Sequence, residues 1–158
     1  MDKCLLSTGK DNWETPQLFF DLLNSEFGFT LDAASDGINA KCEKFYTPEQ
    51  DGLAQDWAGE TVFCNPPYSK GGKQDEWIKK CYEESRKPNT TVVALVPVRT
   101  DTARFHDHIL GKAEIRFIRG RLAFEMQGQP IKDKKGNTQR APFPSMLVVW
   151  RTQEVDEP

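Results

Sequence analysis

The hydrophobic and polar positions of this 158-residue chain alternate between two periods, one helical and one extended. In residues 16–26, Leu18, Phe19, Leu22 and Leu23 recur at helical spacing. They predict a helix with that face inward, Thr15 as its cap and Pro16 in its first turn. Phe27–Leu31 follows as a short strand running into Asp32-Ala33-Ala34-Ser35, and residues 36–60 show weak periodicity apart from a short strand near Lys44–Tyr46. Thr61–Cys64 is the next strand. Lys73–Lys87 then returns to helical spacing, with Trp77, Ile78, Cys81 and Tyr82 on one side. Thr91–Val96 is a continuous apolar run, as expected of a strand covered on both faces. A short helix near Thr102–Leu110 and a strand at Glu114–Ile118 come next, and strands at Arg121–Glu125 and Ser145–Arg151 flank a long polar loop. This order of elements implies an α/β three-layer sandwich with a mostly parallel sheet. Ligands of such sheets sit beyond the carboxyl ends of the strands, where both Asp32 and Asn65 fall.

The tetrapeptide Asn65-Pro66-Pro67-Tyr68, directly behind the strand Thr61–Cys64, carries the clearest chemistry. It presents an amide oxygen, a carbonyl held rigid by two prolines, and an aromatic plane at one sheet edge. Those three groups suit gripping a flat amine and aiming its nitrogen lone pair at an electrophile. With proline near 5% of residues, a polar residue, two prolines and an aromatic in succession arise by chance in about one chain of this length in 200. The same prolines would also make a stiff turn and nothing more. The strand context favours a site.

Composition narrows the class. A length of 158 residues suits a single domain spanning 1–158, and no apolar stretch is long enough to cross a bilayer. The N-terminal residues lack the apolar region of a secretory signal. Cys4, Cys42, Cys64 and Cys81 are widely spaced with no Cys-x-x-Cys pair, which fits a reduced, cytoplasmic protein and no zinc ribbon. His106 and His108 lie two apart and would face different ways on a helix, so no metal site is expected. Gly72-Lys73 lacks the other residues of a phosphate-binding loop. The net charge of −3 is uneven: Lys112–Arg140 carries +5 and the remainder −8. A basic segment on an acidic body can contact phosphates, although on charge alone a solvated hairpin is the better account.

Asp11-Asn12-Trp13-Glu14-Thr15-Pro16, Leu31-Asp32-Ala33-Ala34, Asp51-Gly52-Leu53-Ala54-Gln55-Asp56-Trp57 and Asn65-Pro66-Pro67-Tyr68 together resemble the phage-type, Dam-like DNA N6-adenine methyltransferases. The resemblance continues through Leu95-Val96-Pro97-Val98-Arg99-Thr100 and Gly120-Arg121-Leu122-Ala123-Phe124, from about Trp13 to Trp150. The tetrapeptide by itself also fits methyltransferases of RNA and of protein glutamine. The Trp-x-Thr-Pro and Gly-Arg-Leu-x-Phe segments point to the phage-type family.

The resemblance implies a Rossmann-like fold, S-adenosylmethionine as methyl donor, double-stranded DNA as partner and a flipped adenine as acceptor. It implies that Asn65 and the Pro66 carbonyl accept the two amine hydrogens, with Pro67 stiffening the turn and Tyr68 stacking on the base. It places Trp13, Thr15, Pro16, Asp32, Ala33 and Ala34 around the methionine end of the donor, and Asp56 and Trp57 at its adenine. Ala33-Ala34-Ser35 stands where broader methyltransferases carry Gly-x-Gly, and Asp36 and Glu43 are the candidates for the donor's ribose. DNA engagement is expected from the loop 125–143 with Lys132, Lys134, Lys135 and Arg140, from Lys70 in the Ser69–Gln74 loop, and from Arg99 and Arg121, without a separate recognition domain. Two other readings are an amino-methyltransferase of RNA or a glutamine amide, and a silent DNA- or cofactor-binding homologue.

Overall fold

The computed structural model describes residues 13–68 and 73–152. Its elements in chain order are α1 (Gln17–Phe27), β1 (Leu31–Asp32), β2 (Lys44–Phe45), a 3₁₀ turn (Gly52–Ala54), β3 (Thr61–Cys64), α2 (Gln74–Ser85), β4 (Thr91–Pro97), α3 (Ala103–His108), β5 (Glu114–Phe117), β6 (Glu125–Met126), β7 (Gln129–Pro130) and β8 (Ser145–Trp150). Six strands form one sheet in the order β2-β1-β3-β4-β8-β5. The pairs β2–β1, β1–β3 and β3–β4 are parallel. Strand β8 runs antiparallel between β4 and β5.

Side-chain alternation along the strands builds two cores. Val62, Cys64, Val92, Ala94, Val96, Met146, Val148 and Trp150 face Trp77, Ile78 and Cys81 of α2 and Phe105 of α3. Phe63, Val93, Leu95, Leu147 and Val149 face Phe20 and Leu23 of α1, with Phe124 and Ala141 closing that side. Helices therefore cover both faces, and the layered, mostly parallel architecture is the Rossmann-like one expected.

Four local expectations need correction. Phe27–Leu31 is not a strand, since Phe27 ends α1, Gly28 turns the chain at positive φ, and the strand is Leu31–Asp32. Helix α1 buries Phe20 and Leu23, whereas Leu18 and Leu22 are 80% and 75% exposed. Its inward stripe is set by the sheet, where Phe20 meets Phe63 edge-on at 5.2 Å and stacks on Phe29 at 5.4 Å. Nor does Thr15 cap the helix. Pro16 holds the cap position and the Gln17 N–H donates instead to Glu125 Oε1 at 3.0 Å, 108 residues away in sequence. Finally, Arg121–Phe124 is not a strand, and the long polar loop is a hairpin. Strands β6 and β7 pair across Gln127 and Gly128, both at positive φ (53° and 78°), and a further bridge joins Lys132 to Thr138.

Candidate active site

Leaving β1, the chain pairs first with β2 on one side, and β3 then joins β1 on the other. This reversal of direction opens a crevice at the carboxyl ends of β1 and β3, the place where parallel sheets bind ligands. A cleft of about 760 Å³ lies there. Its walls include Trp13, Thr15, Asp32, Ala33, Ala34, Asn65 and Pro67, drawn from well-separated segments of the chain.

Asn65 sits immediately after β3. Its Nδ2 donates to the Trp13 carbonyl at 2.8 Å and to Thr15 Oγ1 at 3.1 Å, which straps the segment before α1 onto the sheet edge. Both hydrogens of the amide are thereby used. Its Oδ1 is buried and has no hydrogen-bond partner among the described residues. A buried acceptor left unpaired costs about 1–3 kcal/mol, so this oxygen is directed at a missing donor.

Behind it, Gln74 at the start of α2 donates through Nε2 to the Pro67 carbonyl at 2.7 Å and reaches the Pro66 carbonyl at 3.5 Å. The two proline carbonyls are thus held in place by a residue to which the sequence pattern assigns no role. The signal for it was position alone, the first turn of a helix following the tetrapeptide.

Asp32 is 4% exposed, and its carboxylate accepts the N–H of Lys41 at 3.0 Å and of Ala34 at 3.4 Å. Burial pushes its pKa above the ordinary carboxylate range, against the pull of those two N–H groups. No cation pairs with it among the described residues. The cleft as a whole is acidic, with Glu14, Asp32, Asp36, Glu49 and Asp51 against Lys41 and Lys73. Such a lining favours a cationic ligand and repels phosphates.

Gly52 lets the 3₁₀ turn press against the loop after β1. A Cβ there would lie 2.2 Å from the Ala33 carbonyl oxygen and 3.0 Å from the Trp77 ring, so only glycine fits. This close approach brings Asp51, Gly52 and Leu53 to the cleft wall. The Asp-Gly pair was the sequence signal that could have placed a turn here.

Other expected positions fall elsewhere. Asp56 and Trp57 do not line the cleft. The turn directs Trp57 into the core, fully buried, where its Nε1 donates to the Gly52 carbonyl at 3.0 Å and its backbone N–H to Glu84 Oε1 at 2.6 Å. Asp56 is a surface residue paired with Lys87 at 2.9 Å. Pro16 begins α1 and is not part of the wall. Tyr68 offers no open plane: its ring packs on Phe143 at 5.3 Å, Phe124 at 5.7 Å and Trp13 at 6.1 Å, and its hydroxyl donates to the Leu95 carbonyl at 3.1 Å. Asp36 lines the cleft, but Oδ1 is engaged by the N–H groups of Ile38 and Asn39, while Glu43 is exposed outside it.

Among the basic candidates, Arg99 is exposed just beyond β4, on the edge that carries the cleft. Arg121 and Arg140 interlock: Arg140 Nη1 donates to the Arg121 carbonyl at 3.0 Å and Arg121 Nη1 to the Ala141 carbonyl at 3.4 Å. Lys132 Nζ donates to Thr138 Oγ1, and Lys134 and Lys135 are exposed on the hairpin. Lys70 lies outside the described residues, as do Ser69, Gly71 and Gly72. Cys64, next to Asn65, is fully buried, and burial followed by the neighbouring Cys81 thiol drives its pKa well up, so it stays a neutral thiol. No group of three or more metal-ligating side chains, and no helix long and apolar enough to cross a membrane, occurs among the described residues.

The chain is similar to two proteins named DNA N-6-adenine-methyltransferase. That of Escherichia phage T1 is 34% identical over 121 residues, covering 75% of this chain and 49% of the phage protein. That of Haemophilus phage HP1 (strain HP1c1) is 32% identical over 145 residues, covering 89% of this chain and 79% of the phage protein. The chain therefore spans about half the length of the phage T1 relative. Residues 3–157, nearly the whole sequence, also match the family described as DNA N-6-adenine-methyltransferase (Dam), and to that family the chain belongs.

Proposed function

We propose that this protein transfers a methyl group from S-adenosylmethionine to the N6 amine of an adenine in double-stranded DNA, acting as a single catalytic domain over residues 1–158. The observation that carries the reading is the buried, unpaired Oδ1 of Asn65 at the cleft edge. An exocyclic amine supplies the donor this oxygen lacks, and the Pro66 carbonyl is the second acceptor. Accepting both hydrogens draws the nitrogen out of conjugation with the ring and exposes its lone pair.

The cleft fits the methyl donor in size and charge. Pockets of about 300–1,000 Å³ hold ligands of this class. When bound, S-adenosylmethionine supplies a methyl group on a positively charged sulfur. Asp32 is a buried carboxylate with no cation paired to it among the described residues, and a positive ligand offsets its desolvation. Ala33 and Ala34 allow close approach of the backbone, and Trp13 and Thr15 close the cleft beside Asn65. The acidic lining keeps phosphates out, so nucleic acid reaches Asn65 with a base alone, turned out of the stack.

Trp13 packs on Tyr68 and also lines the cleft, which extends the aromatic group to the cleft rim as a stacking surface. Stacking of this kind contributes about 1–3 kcal/mol per base. The hairpin with Lys132, Lys134 and Lys135, together with Arg99, Arg121 and Arg140, supplies the phosphate contacts. Catalysis in this reading is positioning. The N6 nitrogen bonds the methyl carbon as the methyl–sulfur bond breaks, releasing S-adenosylhomocysteine. The alkylated, cationic nitrogen then sheds one proton to solvent, so no general base is needed.

The test is methyl incorporation into adenine-containing duplex DNA, followed by digestion and detection of N6-methyladenine. Asn65→Ala is expected to lower kcat by about 100-fold or more, on the scale of losing one transition-state contact, while donor binding persists. Methyl transfer to RNA or a protein amide but not to DNA would replace the acceptor, and binding of donor and DNA without any transfer would mark a silent homologue.

A further inference from the structure

We propose that Glu14 is a positioning residue that latches the β6–β7 hairpin, which leads into the Lys132–Lys135 segment, to the donor cleft, making methyl-donor and DNA binding cooperative; this rests on the function proposed above. The Glu14 carboxylate accepts three N–H groups from two distant segments. Oε2 takes Asn39 Nδ2 at 3.1 Å and the Gln127 backbone N–H at 2.9 Å, and Oε1 takes the Gly128 backbone N–H at 3.0 Å. No cation pairs with it among the described residues. Its orientation is therefore set by the positions of those N–H groups.

Each partner has its own local ties. Asn39 belongs to a turn tied by Asp36, whose Oδ1 accepts the N–H of Ile38 at 2.9 Å and of Asn39 at 2.8 Å. Gln127 and Gly128, both at positive φ, form the tip of the β6–β7 hairpin and aim successive N–H groups at one point. The tip lies beside the turn: a Cβ added at Gly128 would come within 3.7 Å of Asn39 Oδ1. The Glu14 backbone pairs with Glu125 in both directions at 2.9 Å, so the latch is anchored on the hairpin stem as well.

Glu14, Asp36 and Asn39 line the cleft, while the chain leaving β7 carries Lys132, Lys134 and Lys135. A donor that orders Glu14 and Asn39 fixes the hairpin tip, and DNA that fixes the hairpin orders the cleft wall. Linkage makes the two effects equal in size.

The test measures the dissociation constant of S-adenosylhomocysteine, which cannot react, with and without a saturating adenine-containing duplex. In the wild type, DNA is expected to tighten binding by about 5- to 150-fold. Glu14→Gln brings that factor to about 1, whatever the loss of its cleft charge does to the affinity of each ligand alone, because one side of its amide turns hydrogens toward the tip N–H groups. Amide exchange of Gln127 and Gly128 gives a second measure, expected to slow when S-adenosylhomocysteine is added to the wild type. It decides the matter should the variant fail to fold. A factor of 1 in the wild type, an unchanged factor in Glu14→Gln, or unaltered exchange at the tip overturns the latch. Wild type that binds neither ligand overturns the function on which it rests.

Discussion

An amide side chain has two donors and an acceptor, and at Asn65 the donors are consumed by the Trp13 carbonyl and Thr15 Oγ1. This fixes which way the oxygen faces, because turning the amide over would set oxygen against oxygen. Gln74 does comparable work on the proline carbonyls, and its own Oε1 is likewise buried and unpaired among the described residues. Replacing Gln74 by leucine leaves the Pro67 carbonyl without its donor, at a stability cost of about 1–3 kcal/mol. Because only the acceptor side loses definition, kcat is expected to fall about tenfold while the donor's dissociation constant changes little. Steady-state kinetics with parallel calorimetric titration check that split. Of these residues, Asn65, Asp32 and Thr15 were legible from local signals, a polar group at a strand end or beside a proline. Gln74 and Glu14 were not, since their meaning comes from partners 7–8 and 25–114 residues away. Tyr68 was legible as an aromatic at the edge but not as one already packed on three other rings.

Helix α2 shows how one element serves the site along its whole length. Gln74 holds the proline carbonyls at its start, Trp77 walls the cleft one turn later, and Glu84 near its end anchors Trp57, which in turn holds Gly52. Burial raises the Glu84 pKa, but the bond from Lys87 and the Trp57 N–H outweigh it, and the net shift is downward. A depressed carboxylate contributes stability that is complete above its unfolded value near 4.5 and is lost as pH falls through the lower folded value. Glu84→Gln is therefore expected to cost about 1.5–3 kcal/mol at neutral pH, as for hydrogen bonds to a charged group. That difference from the wild type shrinks on acidification below pH 4.5, and chemical denaturation at stepped pH measures it. Elements differed in how far sequence disclosed them. β3 spans the very residues its apolar run predicted, because a strand buried on both faces needs nothing else to define it. In α1 the consecutive Leu18-Phe19-Phe20 and Leu22-Leu23 allow two overlapping stripes, and the choice between them is made by Phe29 and Phe63 across the core. The hairpin has no apolar pattern to read; two left-handed residues at its tip set the register.

At the scale of the molecule, opposite charges occupy different regions, with an acidic cleft suited to a cationic donor and a basic segment after β7 suited to phosphates. Under the proposed function, an overall charge of −3 leaves DNA affinity to local basic groups such as these. Replacing Lys134 and Lys135 together by alanine is expected to weaken binding to all duplexes alike and to reduce the slope of log affinity against log salt by about 2. Fluorescence anisotropy across a salt series tests both. The placement of β8 between β4 and β5 has a different kind of consequence, one in time. β4 is synthesised well before the strand that pairs with it at Val93 and Val149, and β5 has no other neighbour in the sheet. Until Ser145–Trp150 have left the ribosome, two strand edges stand open, and that of β4 is wholly apolar from Val92 to Val96. The sheet thus closes only once Ser145–Trp150 have been made, and until then those edges are open to pairing with other chains.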